Sequence, residues 1–408
     1  MRSPREFDVI IAGGGLTGAS LALALSNGAG RVALIEAVPP ASDSQPSYDG
    51  RGLALALSSQ RILHGLGVWE VISRLATAIK HIHVSDQHHF GVVRLHAQDL
   101  RVPALGYVVS TRNLGSVLMQ KVSAAPGIEF ICPATVTGVD IGAGTTEVSL
   151  VRDGQPSTIT GRLLVAADGT YSRLRAMLGI NAALKDYHQT AIVTTVTPAR
   201  AHGHTAWERF TTDGPVALLP LPDNRCSVVF TTRSADAARY LAMDENDFLS
   251  CLQSRFSTRL GLFRCLGTRK SWPLQFLLAT EQIRERLVLL GNTAHTLHPN
   301  GAQGFNLCLR DVAGLAETLL PVLRRGDDPG ALHLLQKYQV SRATDQKRVA
   351  CFTDGLAALY YSDLPHKVLL RNAGMLLINV CPPWKRYLTR LGTGLHRAQP
   401  ALVRGVAC

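Results

Sequence analysis

The stretch VIIAGGGLTG, residues 9–18, decides the fold class of this 408-residue chain, because it joins a strand to a helix. Its first four residues are all apolar, which is typical of a strand buried on both faces of a parallel sheet. The Ala- and Leu-rich residues 19–26 predict a helix, and residues 32–36 predict a second buried strand. These segments together predict a β-α-β unit, with which a doubly wound α/β domain begins.

The glycines of this stretch form the pattern G-x-G-x-x-G. Gly13 permits a tight turn, Gly15 lets the backbone approach a pyrophosphate, and Gly18 allows the helix to pack closely on the strand. The free N–H groups at the start of the helix favour phosphate binding. Glu36 ends the next strand, where its carboxylate can accept a hydrogen bond from a ribose hydroxyl and disfavours a 2′-phosphate. The pattern predicts a site for FAD or NAD.

A second motif, DGTYS at residues 168–172, follows another predicted buried strand. Asp168 can organise a water molecule or a basic partner near a phosphate, but the motif taken alone favours a helix N-cap, for which Asp is well suited. A third motif, at residues 291–311, joins a buried strand to a long predicted helix through a loop rich in Gly, Pro and Asn. Such a loop can aim backbone N–H groups at developing negative charge, as on a reduced flavin ring.

The composition predicts a folded chain of two or three domains, because 46% of its residues are hydrophobic and only 18% are charged. The eight cysteines show no C-x-x-C spacing, and the histidines of the third motif lack partners at ligand spacing. We therefore predict no metal site. We find no secretory signal and no apolar run long enough to span a bilayer. We therefore expect a cytoplasmic protein with free thiols.

The net charge of +12 is concentrated at the C-terminal end. From residue 361 onward one acid, Asp363, stands against seven basic residues: Lys367, Arg371, Lys385, Arg386, Arg390, Arg397 and Arg404. Apolar residues lie between them, and no nucleic-acid-binding signature is present. Two interpretations remain open. The segment seats at an anionic membrane surface on the inner face of the membrane, or it packs as helices on the body or on another subunit.

A β-rich block at residues 187–233 separates the second motif from the third, and the chain beyond residue 330 is mostly helical in pattern. We predict an α/β fold: a discontinuous Rossmann-like FAD-binding domain, an inserted β-rich substrate domain and a C-terminal helical region. The predicted segments are 1–79, 106–180 and 282–330 for FAD binding, 80–105 and 181–281 for the substrate domain, and 331–408 for the helical region.

The three motifs, in this order and spacing, resemble those of the class A flavoprotein monooxygenases, and the resemblance runs over nearly the whole chain. It is closest to the ubiquinone-biosynthesis hydroxylases, and among them to the hydroxylases of 2-octaprenyl-6-methoxyphenol. The stretches that carry this closer resemblance are residues 49–55, 67–69, 83–86, 208–211, 214–215 and 291–311.

The resemblance implies that NADPH or NADH reduces FAD, and that O2 then forms a flavin C4a-hydroperoxide which hydroxylates a polyprenylated phenol. No second glycine fingerprint follows a strand, so the nicotinamide cofactor has no domain of its own. A membrane surface, other ubiquinone-biosynthesis proteins and a second copy of the chain are open as partners. Alternatives are a related FAD hydroxylase of another aromatic or lipid, and a non-catalytic subunit of a quinone-biosynthesis assembly.

The resemblance also implies roles for individual residues. Gly13, Gly15, Gly18 and Glu36 would hold the ADP half of FAD, Arg51 and Asp168 would lie near the pyrophosphate, and Asn292 would replace the Asp that binds ribitol in the wider family. Pro299 would lie beside the flavin ring at the hydroxylation site, with Gly304, Phe305 and Asn306 under the ring. Phe210 and Leu218 are candidates for the substrate pocket or for ordinary sheet core. No general base is predicted.

Overall fold

The computed structural model describes residues 5–28, 30–40, 50–360, 364–395 and 400–405. Its strands are β1 (Arg5–Ala12), β2 (Val32–Ile35), β3 (Gly52–Ala56), β4 (Thr77–Ile79), β5 (His81–Asp86), β6 (Val92–His96), β7 (Gly106–Ser110), β8 (Ile128–Ile131), β9 (Thr135–Ile141), β10 (Thr146–Arg152), β11 (Gln155–Ala166), β12 (Ala182–Pro198), β13 (Thr205–Phe210), β14 (Val216–Pro220), β15 (Cys226–Arg233), β16 (Phe263–Arg264), β17 (Lys270–Ala279), β18 (Ile283–Arg284), β19 (Leu287–Leu289) and β20 (His295–Thr296). Its helices are α1 (Leu16–Leu25), α2 (Leu57–Gly65), α3 (Trp69–Ser73), α4 (Thr111–Ala124), α5 (Arg173–Met177), α6 (Ala237–Ala242), α7 (Glu245–Phe256), α8 (Gly304–Arg325), α9 (Leu332–Tyr360), α10 (Pro365–Val380) and α11 (Pro382–Thr393).

The predicted β-α-β unit is β1, α1 and β2, and it belongs to an eight-stranded sheet. The order is β18-β19-β11-β1-β2-β8, with β10 and β9 continuing from β11. Strands β8, β2, β1, β11 and β19 run parallel. Helices α1, α4 and α8 share one large core with β1, β2, β11 and β19. The long apolar stripe of α8 lies in this core, as the spacing of its leucines predicted.

A nine-stranded sheet forms the second layer of strands, in the order β20-β17-β12-β15-β14-β13-β5-β6, with β16 beside β12. Its apolar side chains pack partly against α6 and α7 and, near β5 and β6, against α9 and α10. A small sheet of β3, β7 and β4 completes the strands. The mixed α/β fold class is thus confirmed. Strands β5 and β6 join the same sheet as β12–β17, while the domain boundaries themselves stay a prediction.

Part of the C-terminal basic segment lies outside the described residues, including Asp363 and Arg397. The described part forms α10 and α11, which were predicted as helical. Helix α10 packs on β6 through Arg371, Asn372 and Met375, all of which are buried.

Candidate active site

The three motifs meet at one edge of the eight-stranded sheet. Ala12 of β1 lies beside Ile35 of β2 and Ala166 of β11, and Ala166 lies beside Leu289 of β19. These strands are parallel, so the segments that follow them emerge on the same side. This is the edge at which open α/β sheets bind their ligands.

The glycine turn after β1 fits tightly against β11. Gly13 has a φ of +114°, and a Cβ on it would lie 2.3 Å from the carbonyl oxygen of Ala167. A Cβ on Gly18 would lie 1.9 Å from the carbonyl oxygen of Gly13. Neither position accommodates a side chain, so the turn and the start of α1 depend on both glycines.

Glu36 is held directly beside this turn. Its Oε2 accepts a hydrogen bond from the N–H of Gly14 at 2.7 Å, and its Oε1 accepts one from the N–H of Val38 at 2.9 Å. Gly15 is the N-cap residue of α1, and as a glycine it has no side chain that could form a capping hydrogen bond. A fixed carboxylate next to an uncapped helix start suits the ribose and the pyrophosphate of a dinucleotide. These residues therefore fit the ADP half of FAD.

Asp168 links the second motif to the third. Its Oδ1 accepts a hydrogen bond from the Thr293 hydroxyl at 3.2 Å, and its Oδ2 accepts one from the N–H of Leu174 at 3.1 Å. The N-cap of α5 is Ser172, whose hydroxyl accepts from the N–H of Arg175. Asp168 is therefore not the N-cap residue, although its carboxylate also accepts from an N–H in the first turn of α5. Its carboxylate instead fixes the two motifs at the shared sheet edge.

Asn292 is exposed at this edge. Its Oδ1 accepts a hydrogen bond from the Cys308 thiol, with 3.7 Å between sulfur and oxygen. Burial raises the pKa of Cys308 to about 12, so the thiol stays protonated and can donate. The amide of Asn292 keeps donor and acceptor capacity for a ligand hydroxyl.

The loop between Pro299 and Gly304 leads into α8. Pro299 is exposed, and Gly301 has a φ of +67°. Gly304 is the first residue of α8, and a Cβ built on it would meet no atom of the described residues within 4 Å. The start of α8 therefore offers backbone N–H groups at an open surface, which suits the electron-rich edge of a flavin ring.

The side chain of Asn306 is fully occupied within the protein. Its Oδ1 accepts from the N–H of Ala56 and the hydroxyl of Ser59, both at 2.7 Å. Its Nδ2 donates to the carbonyls of Ala54 and Ala302 at 2.9 and 2.6 Å. Asn306 thus joins the loop and α8 to the small sheet, and Phe305 beside it packs against the large core.

Arg51 contacts the nine-stranded sheet, and the two predicted substrate residues belong to it. The guanidinium of Arg51 lies over the ring of Trp272, 4.4 Å from its centroid. Phe210 is buried and stacks on Tyr360 with the ring centroids 3.5 Å apart. Leu218 is fully buried in the core that includes residues of α7, a position consistent with the sheet-core alternative.

Glu208 is the functional candidate that sequence reasoning missed. It lies on β13, and its Oε1 accepts a hydrogen bond from the N–H of Gly301 at 3.4 Å. Desolvation raises the pKa of Glu208 to about 7, against a smaller opposing effect of that N–H group. The stretch at residues 208–211 belongs to the resemblance, but no spacing rule connects it to the loop 93 residues later. Only the fold brings the two together.

Two features are absent from the described part of the chain. Within it, no group of three or more His, Cys, Asp or Glu side chains is arranged to hold a metal ion. No described helix is both long enough and apolar enough to cross a bilayer.

Comparison with known proteins identifies the family. A family model described as "FAD binding domain" matches residues 6–353. The chain is 37% identical to the ubiquinone hydroxylase UbiL of Rhodospirillum rubrum, over 98% of this chain and 93% of that protein. It is 30% identical to the 3-demethoxyubiquinol 3-hydroxylase of Escherichia coli K12, over 95% of this chain and 98% of that protein.

The fold is also that of a solved monooxygenase structure. The p-nitrophenol 4-monooxygenase PnpA of Pseudomonas putida DLL-E4 superposes with a TM-score of 0.79 over 97% of this chain and all of that one, at 17% identity. The match to the family model and the two relatives together settle the assignment, and FAD and a nicotinamide co-substrate follow from it. The chain belongs to the family of FAD-dependent monooxygenases that contains the ubiquinone-biosynthesis hydroxylases.

Proposed function

We propose that this enzyme hydroxylates a polyprenylated phenol of the 2-polyprenyl-6-methoxyphenol type, with FAD, NAD(P)H and O2. The observation that carries the proposal is the approach of Glu208 to the loop at Pro299–Gly304. It places a carboxyl group with a near-neutral pKa beside the loop at which the flavin ring is expected.

The cofactor would be held by the residues at the sheet edge. Gly13, Gly15, Gly18 and Glu36 suit its ADP half, and Asp168, Arg51 and Asn292 suit its pyrophosphate and ribitol. Pro299 and the backbone of Gly304, Phe305 and Asn306 suit the ring. Bound FAD supplies the activation of oxygen and its transfer to the substrate. The protein contributes position, electrostatics and exclusion of water.

Glu208 acts as the proton acceptor for the phenol in this proposal. A phenol becomes a stronger nucleophile at its ring carbons when its hydroxyl proton moves away. The carboxylate of Glu208 receives that proton at Oε2 or Oε1, while the N–H of Gly301 holds the group in place. A carboxyl whose pKa is about 7 is well matched to this task near neutral pH.

A polyprenyl substrate resides in a membrane, so we propose that the protein binds the membrane surface through α10 and α11. Their exposed apolar side chains are Leu369, Leu370, Leu376, Leu377, Val380, Trp384 and Tyr387. Two basic residues of the segment are already neutralised, because Arg371 pairs with Asp86 at 2.8 Å and Lys385 with Asp99 at 3.0 Å. We therefore expect the exposed apolar side chains to contribute a larger share of the membrane affinity than the number of basic residues would suggest.

A second substrate is favoured by one relative, whose name specifies 3-hydroxylation of demethoxyubiquinol. That compound carries the same polyprenyl tail on a more substituted ring. The two candidates place the new hydroxyl at different ring positions, so the product distinguishes them.

The test is oxygen incorporation from ¹⁸O₂. Purified protein with FAD, NADH and NADPH is incubated with a short-chain 2-polyprenyl-6-methoxyphenol or with short-chain demethoxyubiquinol, and products are analysed by mass spectrometry. One ¹⁸O atom on the ring of the 2-polyprenyl-6-methoxyphenol supports the proposal. Incorporation of ¹⁸O into demethoxyubiquinol alone would show that demethoxyubiquinol is the substrate instead. Oxidation of the nicotinamide that yields only peroxide with both compounds would reject this substrate class.

A further inference from the structure

A cavity of about 610 Å³ lies at the β6 edge of the nine-stranded sheet, against α10. Arg209, which lines it, is the strand neighbour of Glu208 and projects from the opposite face of β13. The cavity is therefore separate from the proposed active site.

Three arginines converge on this cavity from different elements: Arg94 from β6, Arg209 from β13 and Arg259 from the segment after α7. Among the described residues, none of the three forms a salt bridge with a carboxylate, and the buried Nε of Arg209 has no hydrogen-bond partner. Burial, and after it the charge of Arg259, lowers the pKa of Arg209, while the nearby Asp86 opposes this shift.

The other polar groups nearby do not neutralise the arginines. His83 accepts a hydrogen bond from Arg259 at 2.7 Å, and burial, with the charges of Arg259 and Arg94, lowers its pKa to about 4. Asp86 is the one carboxylate among the described lining residues. It is already bound by Arg371 at 2.8 Å and by Asn372 at 2.9 Å. The cavity thus holds an excess of positive charge, and a guanidinium cluster of this kind is suited to phosphate.

Part of the rim of the cavity is apolar and continues onto α10, opposite the exposed side chains of His88 and His89 on the β5–β6 turn. Phe90 and Leu376 line the cavity and are 62% and 48% exposed. Leu376 lies on the same face of α10 as Leu369 and Val380, which are each 64% exposed. An anion with an attached apolar chain fits this combination of groups.

We propose that this cavity binds the phosphate of an anionic phospholipid, with the acyl chains lying along the exposed face of α10. The inference rests on the membrane association proposed above and specifies what orients the protein on the membrane. A soluble phosphate compound shares the same headgroup chemistry, but it would leave Phe90 and Leu376 without a role.

The test compares two double variants of the full-length holoenzyme. Arg94→Gln with Arg259→Gln removes two charges from the cavity. Arg31→Gln with Arg152→Gln removes two exposed charges from the eight-stranded sheet and is the matched control. Binding is measured by flotation with phosphatidylcholine vesicles, with and without phosphatidylglycerol. Calorimetric titration with inorganic phosphate and glycerol 3-phosphate tests whether the cavity binds a soluble phosphate compound instead of a phospholipid.

We expect the cavity variant to lose about tenfold or more of its affinity for phosphatidylglycerol vesicles, while the control loses less than about twofold. Equal losses in both variants would overturn the proposal in favour of diffuse surface electrostatics. Arginine-dependent binding of inorganic phosphate without selectivity for phosphatidylglycerol would overturn the lipid assignment. Vesicle binding needs no turnover, so hydroxylation of a short-chain substrate by the same variant reports separately on the proposed function.

Discussion

At the scale of single residues, the chemistry depends on where Glu208 loses its proton. A carboxyl group in water has a pKa far below neutral pH, so its carboxylate form is a weak base. Desolvation under the Pro299–Gly304 loop raises the pKa of Glu208 to about 7, which makes its carboxylate a stronger proton acceptor. The buried Tyr360 nearby has its own pKa raised, mainly by burial and partly by Asp86 and Glu208, so its hydroxyl stays neutral.

The first prediction concerns Glu208→Gln. Wild-type kcat/KM for a phenol should rise with pH through about 7 and then level off, because the carboxylate form accepts the proton. The glutamine variant should lose this rise and fall by about 10²- to 10⁴-fold. Glu70→Gln, on the exposed surface of α3, is the control and should keep the wild-type profile. An unchanged pH profile in Glu208→Gln would show that another group is the base.

The second prediction concerns Gly18→Ala. The added methyl group would lie 1.9 Å from the carbonyl oxygen of Gly13, so α1 must move away from the glycine turn. The backbone N–H groups at the start of α1 would then no longer be placed to bind the pyrophosphate. The flavin content of purified protein should therefore fall at least about tenfold. Gly355→Ala adds the same group in open space on α9 and should keep its flavin. Full flavin loading of Gly18→Ala would refute the assignment of the ADP site.

The residues that could be predicted from sequence are those whose roles are local. The glycine pattern and Glu36 lie within one β-α-β unit, so spacing alone brings them together. Glu208 approaches Gly301 only because two sheets pack around the same loop, and no periodicity encodes that approach. Asn306 lies in α8, and two of its four hydrogen bonds depend on Ala54 and Ala56 of the small sheet, which are distant in sequence.

At the scale of elements, the attachment of α10 to the nine-stranded sheet centres on a buried ion pair. The Nε of Arg371 donates to Asp86 at the end of β5, and Asn372 donates to the same carboxylate. The sequence left open whether the segment around Arg371 seats at a membrane surface or packs as a helix on the body. The helix turns Arg371, Asn372 and Met375 inward and leaves the leucines outside.

The third prediction concerns this ion pair. Arg371→Met removes the cation and leaves Asp86 buried, which should lower the free energy of unfolding by about 3–5 kcal/mol in a urea titration. Asp86→Asn with Arg371→Met removes both charges and should recover part of the loss. A single variant that loses less than about 1 kcal/mol would indicate that water reaches Asp86.

The elements themselves could largely be predicted, because each has a pattern of its own. Buried parallel strands such as β2 and β19 are continuous apolar runs, and α8 shows a long apolar stripe. The order of strands in the nine-stranded sheet could not be predicted. It pairs β5 with β13, which are more than a hundred residues apart, and such a pairing leaves no local signal.

At the scale of the whole molecule, the exposed apolar side chains of α10 begin at the rim of the proposed phosphate cavity and continue along the helix. The proposed function predicts that this face contacts the membrane that holds the polyprenyl substrate. Truncation of the C-terminal segment would not test this arrangement, because it would also remove the buried contacts of Arg371 and Met375. Surface substitutions avoid that problem.

The last prediction therefore concerns Leu370→Ser with Leu377→Ser, whose side chains are 67% and 54% exposed. Less apolar area can enter the bilayer interface, so the affinity for vesicles of any lipid composition should fall about tenfold. Leu262→Ser with Val340→Ser removes apolar groups that are 62% and 75% exposed elsewhere and should leave vesicle binding unchanged. Flotation measures both, and circular dichroism confirms folding. If both double variants lose the same affinity, the apolar face is not the membrane contact. If only Leu370→Ser with Leu377→Ser loses affinity, we expect the same loss with and without phosphatidylglycerol. This independence from the anionic lipid would separate the contribution of the apolar face from that of the arginine cavity.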